Sequence, residues 1–285
     1  MNFIVVSGDT VLSVIDANSG ASLKSRIISA LVLAPLVVGA VYLGSPIYDL
    51  LILTTVVIMA WEWRRLCAHE SFGNPGIIFI VTVTGAAALA SFGYVEMAAL
   101  FVGAGALIVL SVIIRSAGKS SIWMISGILA VGVTGISLIL IRRIGDDWLF
   151  TMWFLVAIWA TDISAFFVGR AIGGPKLAPK ISPGKTWSGL LGGIMGAVCW
   201  SMIWTLWTGT HQAGTLAVFA GFIAIFAQFG DLGVSRVKRR YGVKDTGTLI
   251  PGHGGLLDRV DGIIGAVPFA VLCNALAIGD MSLWA

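Results

Sequence analysis

The chain is short of charge. Of its 285 residues only 11% are charged while 58% are hydrophobic, against about 25% charged in an ordinary soluble domain. A soluble fold of this length has too little interior to hide so much apolar surface, so the composition excludes one and points to a bilayer as solvent. Cysteine is also scarce: Cys67, Cys199 and Cys273 lie far apart, with no Cys-x-x-Cys pair and no histidine cluster nearby. That excludes a disulfide framework and a zinc site and leaves the three as small apolar residues packed in helices. The first two dozen residues lack a basic leader, and the apolar stretches Phe3–Val6 and Val11–Ile15 are too short for a signal peptide. Residues 1–23 therefore read as a cytoplasmic tail.

What the chain has in abundance is long apolar runs. About 20 mostly apolar residues cross the hydrocarbon core, which predicts spans near 27–43, 47–63, 76–94, 97–114, 122–141, 148–168, 188–208, 213–230 and 258–278. The expected fold is all-α, a polytopic transmembrane helix bundle of about nine spans. Residues 24–147 hold the N-terminal helices and 148–285 a C-terminal catalytic region. With the N-terminus inside, sixteen of the 18 lysines and arginines fall on the inner side, and only Arg142 and Arg143 fall outside. That imbalance predicts an N-in, C-out topology with both long basic loops on the inner face. No soluble domain is large enough to fold alone, so chemistry falls to loops and helix ends. Gly192 and Gly196 form a GxxxG pair in the seventh span, read as close helix packing.

Acidic residues number 14, and five gather in or beside the basic loops: Asp162, Asp231, Asp245, Asp258 and Asp261. A charge at the centre of a membrane helix costs roughly 2.5–3.5 kcal/mol, so it persists where it binds something positive or lines a wet cavity. Asp258 and Asp261 are three apart and predicted to share a helix face. Two carboxylates so placed repel unless a cation lies between them, and oxygen-only ligation favours Mg²⁺. The alternative is ion pairing with Arg259, Lys238 or Arg239. Asp162 reads equally as a helix-to-helix bond.

The loop expected after the eighth span begins at Ser235 and carries Lys238, Arg239, Arg240 and Lys244, then Pro251-Gly252-His253-Gly254-Gly255 before Asp258. A positive-inside patch explains the charge but not the order. Glycines let backbone N–H groups approach a phosphate, and the segment opens the last helix, whose N-terminus favours an anion. With the carboxylates, the pattern predicts a metal-bound polyphosphate; taken alone, Gly-His-Gly-Gly is also a tight turn. The other loop runs from Gly169-Arg170 to Ser182-Pro183-Gly184-Lys185-Thr186. A Walker phosphate loop is excluded, because Pro179 stands where its first glycine belongs and no strand precedes it. Lys185 is left to hold a phosphate or to reach for the interface.

These residues resemble the phosphatidate cytidylyltransferase (CDP-diacylglycerol synthase) family. Its long signature is met at every fixed position, from Ser235, Lys238 and Arg239 through Lys244, Asp245, Gly247, Pro251, His253, Gly254 and Gly255 to Asp258, Arg259 and Asp261. The block from Asp162 through Arg170, Pro179, Ser182 and Lys185 is similar to a second family block, with two departures: Ser188 where many members have an acid, and Phe166 where tyrosine is common.

The resemblance implies CTP and phosphatidate as substrates, CDP-diacylglycerol and pyrophosphate as products, and a Mg²⁺ requirement, with a second cation such as K⁺ sharing the site. It implies a homodimer with its active site facing the cytoplasm, in the bilayer of a bacterial inner membrane, and no nucleic-acid partner. Asp231, Asp258 and Asp261 are expected to hold the metal, and Lys238, Arg239 and Arg259 to stabilise developing charge. Ser235, Lys244 and His253 are expected to position phosphates, Arg170 and Lys185 to meet the lipid headgroup, and Ser182, Asp245, Gly254 and Gly255 to bind substrate. The competing enzyme readings are a CTP-dependent lipid-alcohol kinase or a related lipid-phosphate cytidylyltransferase. A transporter would spread its charges through the bilayer in two repeated halves, whereas here they gather on one face and toward one end of the chain.

Overall fold

The computed structural model describes residues 27–67, 74–115, 122–144, 148–210, 212–252 and 254–276. The expected tail and His253 lie outside them. The elements run α1 (Ile27–Leu43), α2 (Ile47–Cys67), α3 (Asn74–Ser91), α4 (Val95–Arg115), α5 (Ile122–Ile141), α6 (Leu149–Ile172), β1 (Lys176–Ala178), β2 (Ser182–Thr186), α7 (Trp187–Thr208), α8 (Ala213–Arg240) and α9 (Leu257–Leu276). The protein is an all-α membrane helical protein, with one departure from that expectation. The α6–α7 connection is an antiparallel two-stranded ribbon pairing Lys176 with Thr186 and Ala178 with Ser182.

Among the described residues six helices, α4 to α9, are long and apolar enough to cross a membrane. α1 and the apolar part of α3 are shorter, and α2 spends four of its residues on Asp49, Glu62, Arg64 and Arg65. Leu31, Leu100, Ile114 and Leu206 are among many large apolar side chains that point outward. Exposed apolar surface on this scale marks a partner or lipid rather than water.

α5 is the hub, packing against α2, α3, α4 and α9, while α6 to α9 pack in sequence behind it. One apolar core runs through both groups, from Val56 and Phe79 to Phe154, Ile223 and Val267. One end of the bundle gathers the α1–α2 and α5–α6 turns, where Arg142 Nε donates to Val41 O. The opposite end gathers the ribbon and the α8–α9 loop, where Ser29 Oγ donates to Pro251 O and Arg239 Nε to Ile181 O. The candidate site lies at this second end.

Small residues set the closest helix contacts. A Cβ on Gly192 or Gly196 would strike Val168 or Ser164, so the GxxxG pair serves α6–α7 packing. α8 and α9 approach even more closely, backbone to backbone, where Gly230 faces Asp261 O and Gly265 faces Phe226 O. Gly265→Ala inserts a methyl into that contact. Overpacking of this kind costs about 1–3 kcal/mol, so thermal unfolding in detergent should fall by roughly 2–12 °C. Turnover should fall with it, because Asp231 and Asp261 flank the contact.

Candidate active site

α8 does not stop where its apolar run ends. Ser235 to Arg240, expected in a loop, are its last turns, because serine, lysine and arginine continue a helix readily once the chain leaves the apolar layer. Asp231, Ser235 and Lys238 consequently stand on one rigid helix at spacings of four and three, the same face. Ser235 Oγ donates to Asp231 Oδ1 at 3.1 Å. On the facing ribbon, Lys185 Nζ stands 2.5 Å from Asp231 Oδ2 and donates to Gln228 Oε1 at 2.8 Å. Lys185 thus reaches into the protein instead of toward the interface. Thr186 starts α7 by accepting the Gly189 N–H at 3.0 Å, which fixes the ribbon beside α8.

A cavity of about 610 Å³ opens here, lined by Asp162, Arg170, Lys176, Lys185, Gln228 and Asp231, with apolar walls that include Phe166 and Leu190. Three cations face two carboxylates across one pocket, with apolar side chains on its flank. Asp261 belongs to the same charged group: it interacts electrostatically with Asp231, Asp162 and Lys238, and Asp162 in turn with Lys185 and Arg259.

Asp258 does not join them. Its Oδ1 takes the Lys238 ammonium at 2.7 Å. Its Oδ2 accepts from Thr246 N at 2.8 Å and Gly255 N at 3.0 Å, and lies 3.0 Å from Thr246 Oγ1, whose single proton it shares with Glu62. The expected convergence of Asp231, Asp258 and Asp261 on one ion is corrected on this point. In the first turn of α9, Asp258 folds back onto loop amides, while Asp261 one turn later lies within electrostatic range of Asp231 and Asp162.

The expected phosphate nest is corrected as well. Gly255 N serves Asp258, and Leu256 N and Leu257 N donate to Glu62 Oε1 and Oε2 at 2.9 and 2.7 Å. The anion at the start of α9 is the protein's own.

The other expected residues divide. Arg170 lines the cavity. Ser182 pairs with Ala178 in the ribbon. Arg239, expected at developing charge, donates to Ile181 O and Val243 O at 3.2 and 2.8 Å, holding ribbon and loop together. Lys244 and Asp245 line a separate pocket of about 390 Å³ with Arg65 and Tyr241. Gly254 pairs with Ile250 at a φ of +83°, a conformation glycine tolerates best. Arg259 is exposed. Residues missed in the sequence are Glu62, Gln228 and Thr246, while Lys176 was seen only as a charge of the basic loop. Of the three missed, only Glu62 carried a signal, as an acid inside an apolar helix.

Among the described residues no group of three or more carboxylate, histidine or cysteine side chains is arranged to hold an ion by itself. Mg²⁺ needs less, since it is usually bound through one or two carboxylates together with substrate phosphates and water. Asp231 and Asp261 supply that number with hard oxygen donors and fit a magnesium–nucleotide complex, in which the ion would take the place that Lys185 holds on Asp231 here.

The cytidylyltransferase family profile matches residues 24–276, and the chain belongs to that family. It is 36% identical over 265 residues to a protein of Brucella abortus named phosphatidate cytidylyltransferase, covering 90% of this chain and 94% of that one. It is 36% identical to a Pseudomonas aeruginosa protein of the same name, covering 90% and 99%, and 32% identical to one from Haemophilus influenzae, covering 87% and 96%.

Proposed function

We propose that this chain is a phosphatidate cytidylyltransferase, which joins CTP and phosphatidate to give CDP-diacylglycerol and pyrophosphate in phospholipid biosynthesis. The observation that carries the reading is the cavity in which Arg170, Lys176 and Lys185 face Asp162 and Asp231 beside apolar helix walls. Such a site suits two anionic partners, one soluble and one embedded in lipid.

A phosphate oxygen of phosphatidate attacks the α-phosphorus of CTP. A new P–O bond forms, the bond from the α-phosphorus to the bridging oxygen breaks, and pyrophosphate leaves with that electron pair. No general base is required, because a phosphate monoester has a second pKa of about 6 and is largely ionised near neutrality. The task is to hold two repelling anions in line and to neutralise charge on the leaving group. Arg170, Lys176 and Lys185 bind and orient the lipid phosphate. Lys238, held by Asp258, presents its remaining N–H groups to the nucleotide phosphates. Asp231 and Asp261 would hold Mg²⁺, which would draw charge from the phosphate oxygens. A second cation such as K⁺ would share the carboxylates.

The sixteen-to-two partition of basic residues supports nine crossings with the N-terminus and the site on the cytoplasmic side. The bacterial relatives support an inner membrane. The homodimer belongs to the same reading, and light scattering of the purified protein reads its stoichiometry.

Product analysis tests the chemistry. Purified protein given CTP and phosphatidate should release pyrophosphate, and turnover should disappear on chelation of Mg²⁺ and return when it is restored. Release of CDP would replace this reading with a kinase.

A further inference from the structure

Every motif recognised in the sequence lies beyond residue 160, yet the most deeply buried acid among the described residues is elsewhere. Glu62 sits in α2, among the largest fully buried side chains. It reaches across 194 and 195 residues of sequence to Leu256 N and Leu257 N at the mouth of α9, and its Oε2 also takes the Thr246 hydroxyl at 3.0 Å. Water cannot reach this carboxylate to replace a lost partner, so its three donors are its solvation. Two of them are first-turn amides, where a helix favours a negative charge.

The fit leaves no slack. A Cβ on Gly255 would lie 2.8 Å from Glu62 Oε1, and one on Gly247 would lie 3.2 Å from it. The loop backbone therefore rests directly on the carboxylate. Thr246 passes the constraint on, because its hydroxyl lies 3.0 Å from Glu62 Oε2 and 3.0 Å from Asp258 Oδ2. Gly255 N and Thr246 N then fix Asp258, and Asp258 fixes the Lys238 ammonium. A helix of the N-terminal half thus sets where a cation of the C-terminal half stands.

We propose that Glu62 is a positioning residue for nucleotidyl transfer, acting through Thr246 and Asp258 to place the Lys238 ammonium. The proposal rests on the function proposed above. Glutamine at this site offers one acceptor oxygen to three donors and turns an NH₂ group toward amides.

The test is steady-state kinetics on the full-length protein in detergent, well below its melting temperature. Glu62→Gln should lower kcat about 10²-fold, the scale of a misplacement near 1 Å, with KM for CTP changed by less than about 3-fold. Thr246→Val keeps the volume, loses the bridging hydroxyl and should lower kcat about 10-fold. The double variant should be no slower than Glu62→Gln within about 3-fold, since both break one chain of contacts. Wild-type kcat in Glu62→Gln, a loss confined to KM, or multiplying effects in the double variant would overturn the proposal. If Glu62→Gln cannot be recovered folded, Thr246→Val decides alone, and wild-type kcat there overturns it.

Hydrogen exchange at Leu256 and Leu257 reads the anchor without substrate and should quicken at least about 10-fold in Glu62→Gln. Unchanged exchange overturns the positioning chain. Quickened exchange in a protein whose wild type transfers no cytidylyl group leaves the anchor standing and removes the substrate reading.

Discussion

Asp261→Asn is expected to lower turnover about 10³-fold, the scale seen when one preorganised electrostatic stabiliser is removed, while leaving the fold intact. Asp261, Asp231 and Asp162 act on one another electrostatically, and like charges held together cost folding energy when no cation lies among them. Removing one of these charges should therefore hold or raise the melting temperature measured without Mg²⁺. Mg²⁺ with CTP should stabilise the wild type by mass action and have much less effect on the variant. The signature is lost activity with kept stability. A variant that keeps its turnover would remove Asp261 from the site, and one that loses both together would make Asp261 a structural residue.

Lys238→Met is expected to fail in the opposite manner, losing stability and activity at once. The Lys238–Asp258 pair is buried, with side chains 9% and 4% exposed and 2.7 Å between charged atoms. Deleting one member of such a pair leaves an uncompensated charge, at a cost of about 3–5 kcal/mol. Asp258 also accepts two buried backbone N–H groups, so Lys238→Met with Asp258→Asn, which removes both charges and keeps an acceptor oxygen there, should recover much of the melting temperature. Activity should stay at least about 10²-fold down in both variants. Thermal unfolding paired with turnover separates the two roles. Recovery of turnover along with stability would confine the lysine to a folding role.

The helices were legible because bilayer thickness imposes a length and an apolar content that few other constraints imitate. The continuation of α8 to Arg240 was not, since the same criterion ends a span where the apolar residues end, although the backbone has no reason to unwind there. The ribbon from Lys176 to Thr186 is too short to show an alternating pattern, and Pro183 and Gly184 mask it further. Asp231 was legible as a charge that lipid would not tolerate, and Arg170 and Lys185 as cations of a basic loop, and the fold brings the three to one cavity.

The roles of Asp258 and Arg239 were not legible. The three-residue spacing to Asp261 describes the middle of a helix. At a first turn, free amides compete for the side chain and win. Arg239 found carbonyls on two loops whose proximity exists only in the folded chain. Glu62 could have been suspected from the cost of an acid within α2, but its partners lie too far along the sequence to name.

The central claim is that the carboxylates of the last two helices and the cations of the ribbon hold a nucleotide triphosphate against a lipid phosphate so that the α-phosphorus is transferred. The most direct measurement gives the purified wild-type protein phosphatidate with CTP labelled on either its α- or its γ-phosphate, then extracts the lipid. α-Label should enter the lipid fraction, and γ-label should leave entirely as pyrophosphate. γ-Label in the lipid, or no label there in the presence of Mg²⁺, would contradict the claim.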